Sequence, residues 1–230
     1  MLKSQLNFRL SDDFLKTKFC ARFMSQKNQR WILASGNKGK LKEFERLLEA
    51  FSVDVAPQSI FSIVEAEETG LSFIENAILK ARNAAAQTGL AALADDSGLE
   101  VTALNGAPGI YSARYSKDIA GDNYNDSSNN KKLLKSLKDS SQRAARFVCA
   151  LVFMRHELDP TPIVCVAYWQ GKILDAPSGE DGFGYDPLFF IESEACTAAE
   201  LDPLRKNEIS HRGQAMKLLK EQLIIQGVIS

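Results

Sequence analysis

Two adjacent acids close an apolar run at Ala94-Asp-Asp-Ser-Gly98, and they are the residues of this chain best placed to do chemistry. Upstream, residues 90–94 (LAALA) read as a buried strand, and Gly98 is expected to break it. A buried carboxylate is unfavourable unless paired or bound to a cation, and α/β folds put ligand-facing groups at strand ends. Strand alternation lets only one of Asp95 and Asp96 face a given cleft. Alone, the pair fits a polar exit from a strand better than a site.

Four further stretches carry reactive types. Ser35-Gly36-Asn37-Lys38-Gly39-Lys40 lies between an apolar run and a helical pattern. Its glycines permit close backbone approach, a helix N-terminus offers free N–H groups, and the lysines add charge, as a polyphosphate site requires. The spacing matches neither GxxxxGK[ST] nor GxGxxG, and a plain strand-to-helix turn explains it equally well. Glu67-Glu68 precedes a helix start, where acids commonly complement the dipole. Beside Asp96, one of them could supply a second carboxylate to Mg²⁺, which takes one or two protein carboxylates plus phosphates. Gly182-Phe183-Gly184-Tyr185-Asp186-Pro187 sets two rings in a glycine-rich loop able to stack on a base, with Asp186 for a polar edge; core aromatics in a turn are the alternative. Lys206 and Arg212, in the segment 206–212 (KNEISHR), can meet phosphates or base acceptors, whereas His211 alone reads as a capping or surface residue.

The elements that must position these groups follow from periodicity. Residues 31–34 (WILA) read as a strand, and residues 40–51 as a helix with Leu41, Phe44, Leu48 and Phe51 on one face. A short strand is expected at 53–55. Ser72-x-x-Glu75 is a capping box opening a second helix to about residue 87, its stripe being Leu71, Ile74, Ile78, Ala81 and Ala85. Residues 121–131 read as a mobile polar connector leading into a helix that ends near Lys138. Residues 146–154 and 163–169 read as an antiparallel pair, and residues 208–223 as a last helix. The fold class is α/β: a mixed sheet flanked by helices and split by a cleft.

Composition narrows the partners. A net charge of −1 supplies no basic field for nucleic acid, and no apolar run approaches the roughly 18–20 residues of a membrane span. Cys20, Cys149, Cys165 and Cys196 form no CxxC and read as free thiols of a reducing compartment. With two histidines, any divalent metal should be oxygen-ligated. Residues 1–29 are basic and lack a core pattern, so they read as a poorly ordered extension ahead of one domain at 30–230.

Taken together, ILASGNKGKLKEF, AEETGLSFIENAILKARNAA, ALADDSGLEV, GAPGIYSARYS, GFGYDPLFF and KNEISHRGQA resemble the inosine/xanthosine triphosphate pyrophosphatases, in family order from Trp31 to the last helix. Members cleave deaminated purine nucleoside triphosphates to monophosphate and pyrophosphate. The resemblance implies an elongated two-lobed sheet, a homodimer, a cytoplasmic location and a Mg²⁺ requirement. It implies that Ser35, Gly36, Asn37, Lys38, Gly39 and Lys40 hold the triphosphate. Glu68 and Asp96 would hold metal, with Asp96 also the acid–base residue and Ser97 beside it. Phe183, Gly184, Tyr185 and Asp186 would receive base and sugar, Lys206 would lie on the phosphate side, and His211 and Arg212 would read the purine. Ala195-Cys196-Thr197 departs from the family's usual Gly-Lys-Thr, and Glu180 and Asp181 are unusually acidic. A pyrophosphatase of pyrimidine or methylated nucleotides, and a nucleotide sensor without turnover, are the rival readings.

Overall fold

The structure, a computed structural model, describes residues 30–51 and 53–230; the extension expected at 1–29 lies outside the described residues. Seven strands form one sheet in the order β2-β1-β3-β4-β5-β6-β7. They are β1 (Arg30–Ala34), β2 (Asp54–Pro57), β3 (Ala91–Val101), β4 (Ala144–Met154), β5 (Ile163–Ile173), β6 (Phe189–Ile191) and β7 (Cys196–Thr197). β1 is parallel to both β2 and β3, and every later pairing is antiparallel. The helices are α1 (Lys38–Leu48), α2 (Phe73–Thr88), α3 (Lys117–Ala120), α4 (Asp126–Ser136), α5 (Pro203–Ile209) and α6 (His211–Ile225). This is the open mixed sheet with flanking helices that the periodicity predicts.

Strand alternation sorts the core onto two faces. Trp31, Leu33, Leu93, Cys149, Leu151 and Phe153 pack under Phe44 and Leu48 of α1 and Ala215, Leu219 and Leu223 of α6. Ile32, Ala34, Ala92, Ala94, Val148 and Val152 pack against Phe73, Ala77, Ala81 and Ala84 of α2. A third cluster, including Leu99, Phe147, Trp169, Tyr185 and Phe189, fills the β6–β7 end. Helices on opposite faces leave a crevice where the strands between them end, as in other open α/β sheets.

Several expectations need correction. β3 does not stop at Gly98 but runs to Val101, because β4 pairs with it continuously from Ala92 to Val101. Gly98 serves close packing instead: a Cβ there would collide with Ser112 Oγ and the Gly109 carbonyl, which belong to the turn 109–114 lying on the strand. The α2 stripe is rotated, since Phe73 rather than Ile74 faces the sheet, leaving Leu71 and Ile74 exposed. Ser72 Oγ accepts the Glu75 N–H, but Glu75 reaches the Leu71 N–H and the Ser72 hydroxyl, so the box is not closed on the Ser72 backbone. The polar stretch 121–131 is largely ordered: Asn125 and Ser128 cap each other and start α4. The last helix is two, because Ser210 leaves helical geometry and caps α6 through the Gly213 N–H.

Candidate active site

β1 ends at Ala34, opposite Ala94, so Asp95 and Asp96 are the first β3 residues beyond the reach of their parallel neighbour. From there the β3 edge borders a cavity of about 710 Å³. The cavity wraps this open edge and touches both faces, so both acids line it. The expectation that only one of them could face the cleft therefore fails, although alternation does send their side chains to opposite faces.

On the α2 face, Lys80 Nζ lies 2.9 Å from Asp96 Oδ1 and 2.9 Å from Glu68 Oε1. Arg114 Nη1 donates to Glu68 Oε2 at 3.0 Å, and Asn76 Nδ2 to Asp96 Oδ2 at 3.4 Å. Asn76 and Lys80 stand one helical turn apart on the buried side of α2. Burial raises the Asp96 carboxyl above its usual range, despite the opposing charges of Lys80 and Lys40. Burial opposes ionisation of Glu68 too, but Lys80 and Arg114 outweigh it and lower its pKa. The site thus contains one carboxylate inclined to take a proton beside one held ionised.

On the α1/α6 face, charges alternate in a buried chain. Lys40 is ion-paired with Asp95, and Arg212 bridges Asp95 and Glu43. Lys206 Nζ bridges Glu43 at 2.8 Å and Asp186 at 2.7 Å. Arg212 Nη2 also donates to Ser97 Oγ at 2.9 Å, and the buried Cys149 thiol donates to Asp95 at 3.1 Å. Burial works against ionising Glu43, yet Arg212 and Lys206 hold its pKa at about 2. For Asp95, Lys40 and Arg212 likewise outweigh burial and hold the carboxyl well below its usual range. His211 stacks on Phe147 at 4.8 Å between centroids, and its Nδ1 is buried without a protein partner. Burial, reinforced by Arg212, keeps its imidazole neutral.

The turn 35–40 closes the cavity at the start of α1. Ser35 Oγ accepts the Asn37 N–H at 3.3 Å, and Asn37 Oδ1 caps α1 through the Lys40 N–H at 3.0 Å. Ser35, Gly36, Asn37 and Lys40 line the cavity; Lys38 and Gly39 do not. Lys38 is exposed. Gly39 lies under Phe183, whose ring a Cβ would approach to 2.7 Å. Only Gly fits there. The loop 182–187 divides its two rings: Phe183 is partly exposed at the cavity, whereas Tyr185 is buried and donates to the Ser112 carbonyl at 2.8 Å. Asp186 does not present a free polar edge; it is buried, accepting from the Phe183 N–H at 2.9 Å and from Lys206.

Ser97, Gly184, Lys206, His211 and Arg212 reach the same cavity wall set as Glu68 and Asp96. Residue patterns alone do not single out Lys80, Arg114 or Glu43. A signal for Lys80 exists, since it shares a helical face with Phe73, Ala77, Ala81 and Ala84, where a solvated lysine is out of place.

Glu68 and Asp96 suit a divalent cation. Their oxygens already converge on one positive centre, the Lys80 ammonium. No group of three or more His, Cys, Asp or Glu among the described residues could hold a metal, so substrate oxygens and water would complete the shell.

An α/β sheet whose crevice opens at a strand end, lined by a glycine-lysine turn and paired carboxylates, defines a protein built for a phosphorylated ligand. Residues 31–222 match the Ham1 family, and the chain belongs to that family. It is 57% identical over 190 residues to the dITP/XTP pyrophosphatase of Vibrio cholerae, covering 82% of this chain and 93% of the relative. It is 56% identical over 197 residues to the Escherichia coli O157:H7 protein of the same name, covering 85% and 98%. The solved structure of a HAM1 protein from Coxiella burnetii superposes with a TM-score of 0.78 at 49% identity, covering 85% of this chain and 98% of that one. No helix among the described residues is long and apolar enough to cross a membrane.

Proposed function

We propose that this protein is a Mg²⁺-dependent nucleoside triphosphate pyrophosphatase that hydrolyses deaminated purine nucleotides (ITP, dITP and XTP) to the monophosphate and pyrophosphate. The observation that carries it is the convergence on one cavity of Asp96, Glu68 and Lys80, the 35–40 turn, and Phe183, His211 and Arg212. The names of the similar proteins, dITP/XTP pyrophosphatases, support two of these substrates, dITP and XTP.

Glu68 and Asp96 would hold Mg²⁺, which supplies charge neutralisation at the phosphates. Lys40 and the backbone of Ser35–Asn37 would bind the triphosphate, with Lys206 adding charge from the cavity wall and exposed Lys38 from further out. Asp96 would orient a water against the α-phosphorus and accept its proton. The bond from the α-phosphorus to the bridging oxygen breaks, and pyrophosphate leaves. Phe183 would stack on the base, while His211 and Arg212 would read the 6-oxo group. Adenosine presents an amino donor at that position, and an unmatched buried polar group costs about 1–3 kcal/mol.

The working form would be a homodimer in the cytoplasm, with residues 30–230 as the catalytic domain and 1–29 outside it. The test is product analysis with ITP, XTP, ATP and methylated or pyrimidine triphosphates, with and without Mg²⁺. Inosine monophosphate plus pyrophosphate, dependent on Mg²⁺, is the expected result. Preference for a pyrimidine or methylated nucleotide, or binding without turnover, would replace this reading.

A further inference from the structure

One helix braces both walls of the cleft. Asp126 Oδ2, in the first turn of α4, accepts the Gly184 N–H at 2.7 Å, and Asn130 Nδ2, one turn on, donates to the Gly184 carbonyl at 2.9 Å. Residues four apart share a helical face, so α4 takes both backbone groups of a single loop residue. Gly184 sits at φ +63, a left-handed conformation that a side chain would resist. Its neighbour Phe183 rests against Gly39. Between the two clasping residues, buried Asn129 accepts the Ser116 N–H at 2.8 Å and donates to the Ala113 carbonyl at 3.0 Å. That contact anchors α4 to the turn bearing Arg114, which meets Glu68. Although Gly39 of the 35–40 turn lies under Phe183, the turn has anchors of its own in the Asn37 cap and the Lys40–Asp95 ion pair.

We propose that Asp126 and Asn130 are positioning residues for the purine: by clasping Gly184 they hold the Phe183 ring where the base must lie. The inference rests on the proposed nucleotide site. Loss of the clasp loosens the loop at Gly184, which has positive φ, and leaves Phe183 tethered through its N–H bond to Asp186. The penalty falls on the base-bearing part of the ligand and spares the triphosphate-binding turn.

The experiment is calorimetric titration of inosine monophosphate, and separately inorganic tripolyphosphate, into wild type, Asp126→Ala, Asp126→Asn and Asn130→Ala. Asp126→Ala and Asn130→Ala should weaken inosine monophosphate about five- to tenfold, the loss expected for one hydrogen bond to a charged or amide group. Asp126→Asn should restore binding to within about twofold, since its amide oxygen still accepts the Gly184 N–H. Tripolyphosphate should bind all four proteins alike. Equal weakening of both ligands, unchanged inosine monophosphate binding in both alanine variants, or no rescue by Asp126→Asn would overturn the proposal. If Asp126→Ala does not fold, Asn130→Ala decides it. A wild type that binds tripolyphosphate but not inosine monophosphate would overturn the nucleotide reading itself, and the clasp with it.

Discussion

Asp95 and Asp96 are neighbours on β3, yet their direct ion pairs form two networks on opposite faces of the sheet: Asp95 pairs with Lys40 and Arg212, Asp96 with Lys80. The first network is a buried chain of alternating charges, and removing one member strands its partners. The second bears a carboxylate whose ionisation burial already disfavours. Neighbouring residues of one type thus carry unlike duties.

The first prediction follows from that contrast. Asp96→Asn should lower kcat by at least ~10² while leaving the urea midpoint near that of wild type. Asp95→Asn should destabilise the fold by about 3–5 kcal/mol, the cost of leaving buried cations unpaired. Paired measurement of kcat and urea midpoint checks both, and similar stability in the two variants would refute the division.

Much of this arrangement is legible from residue types. The 35–40 turn and the DDSG run combine glycines and charges beside apolar runs, the 206–212 segment gathers charges with a histidine, and all three reach the cavity. Lys80 is harder to find, because an alanine-rich helical stripe is itself hard to phase, and its sheet-facing side turns on Phe73 rather than Ile74. Asp95 is hard to read for a different reason. Alternation speaks of faces, whereas the cavity wraps an open edge created by the early end of β1, which no local pattern records. Gly98 misleads likewise: a glycine in a strand can mark a break or a close approach, and only the 109–114 turn decides between them.

A second prediction concerns the metal. In wild type, Lys80 already compensates Glu68 and Asp96, so chelation should end turnover with little change in Tm. Lys80→Met removes the cation that stands between the two carboxylates, leaving Arg114 on the far oxygen of Glu68. Its Tm should therefore rise with added Mg²⁺, by the linkage expected when a ligand binds only the folded state. Melting curves with Mg²⁺ and with EDTA make the comparison. An Mg²⁺ response in the variant no larger than that of wild type would show that the ammonium is not standing where the metal goes.

A third prediction is a pH dependence of stability. His211 stays neutral in the folded protein because burial and Arg212 lower its pKa well below the usual value. The unfolded chain binds a proton there near pH 6.5. Stability from this residue is therefore complete above that pH and lost as pH falls below it, by about 1.4 kcal/mol between pH 7.5 and 5.5. Asp96 and Asp186, whose carboxyls are raised by burial, act in the opposite direction at lower pH. Urea midpoints of wild type and His211→Phe at the two pH values isolate the histidine. The same slope in both would mean that another group carries it.

The last prediction separates the structural from the selective work of Arg212. Its guanidinium is buried and holds Glu43, Asp95 and Ser97, while its Nε has no partner within the protein. Arg212→Ala should lose both fold stability and base selectivity, and so cannot distinguish them. Arg212→Lys keeps the charge between Glu43 and Asp95 but loses the planar fork. It should remain folded, with a Tm near wild type, while kcat/KM for ITP falls about tenfold, the value of one good hydrogen bond to a charged donor. ATP, with an amino donor at the 6-position, gains nothing from that fork and should lose little. The ratio of kcat/KM for the two nucleotides, in wild type and variant, is the measurement. Equal declines would place Arg212 among the residues that only hold the network together, and purine reading would then fall to His211 and the Phe183 loop.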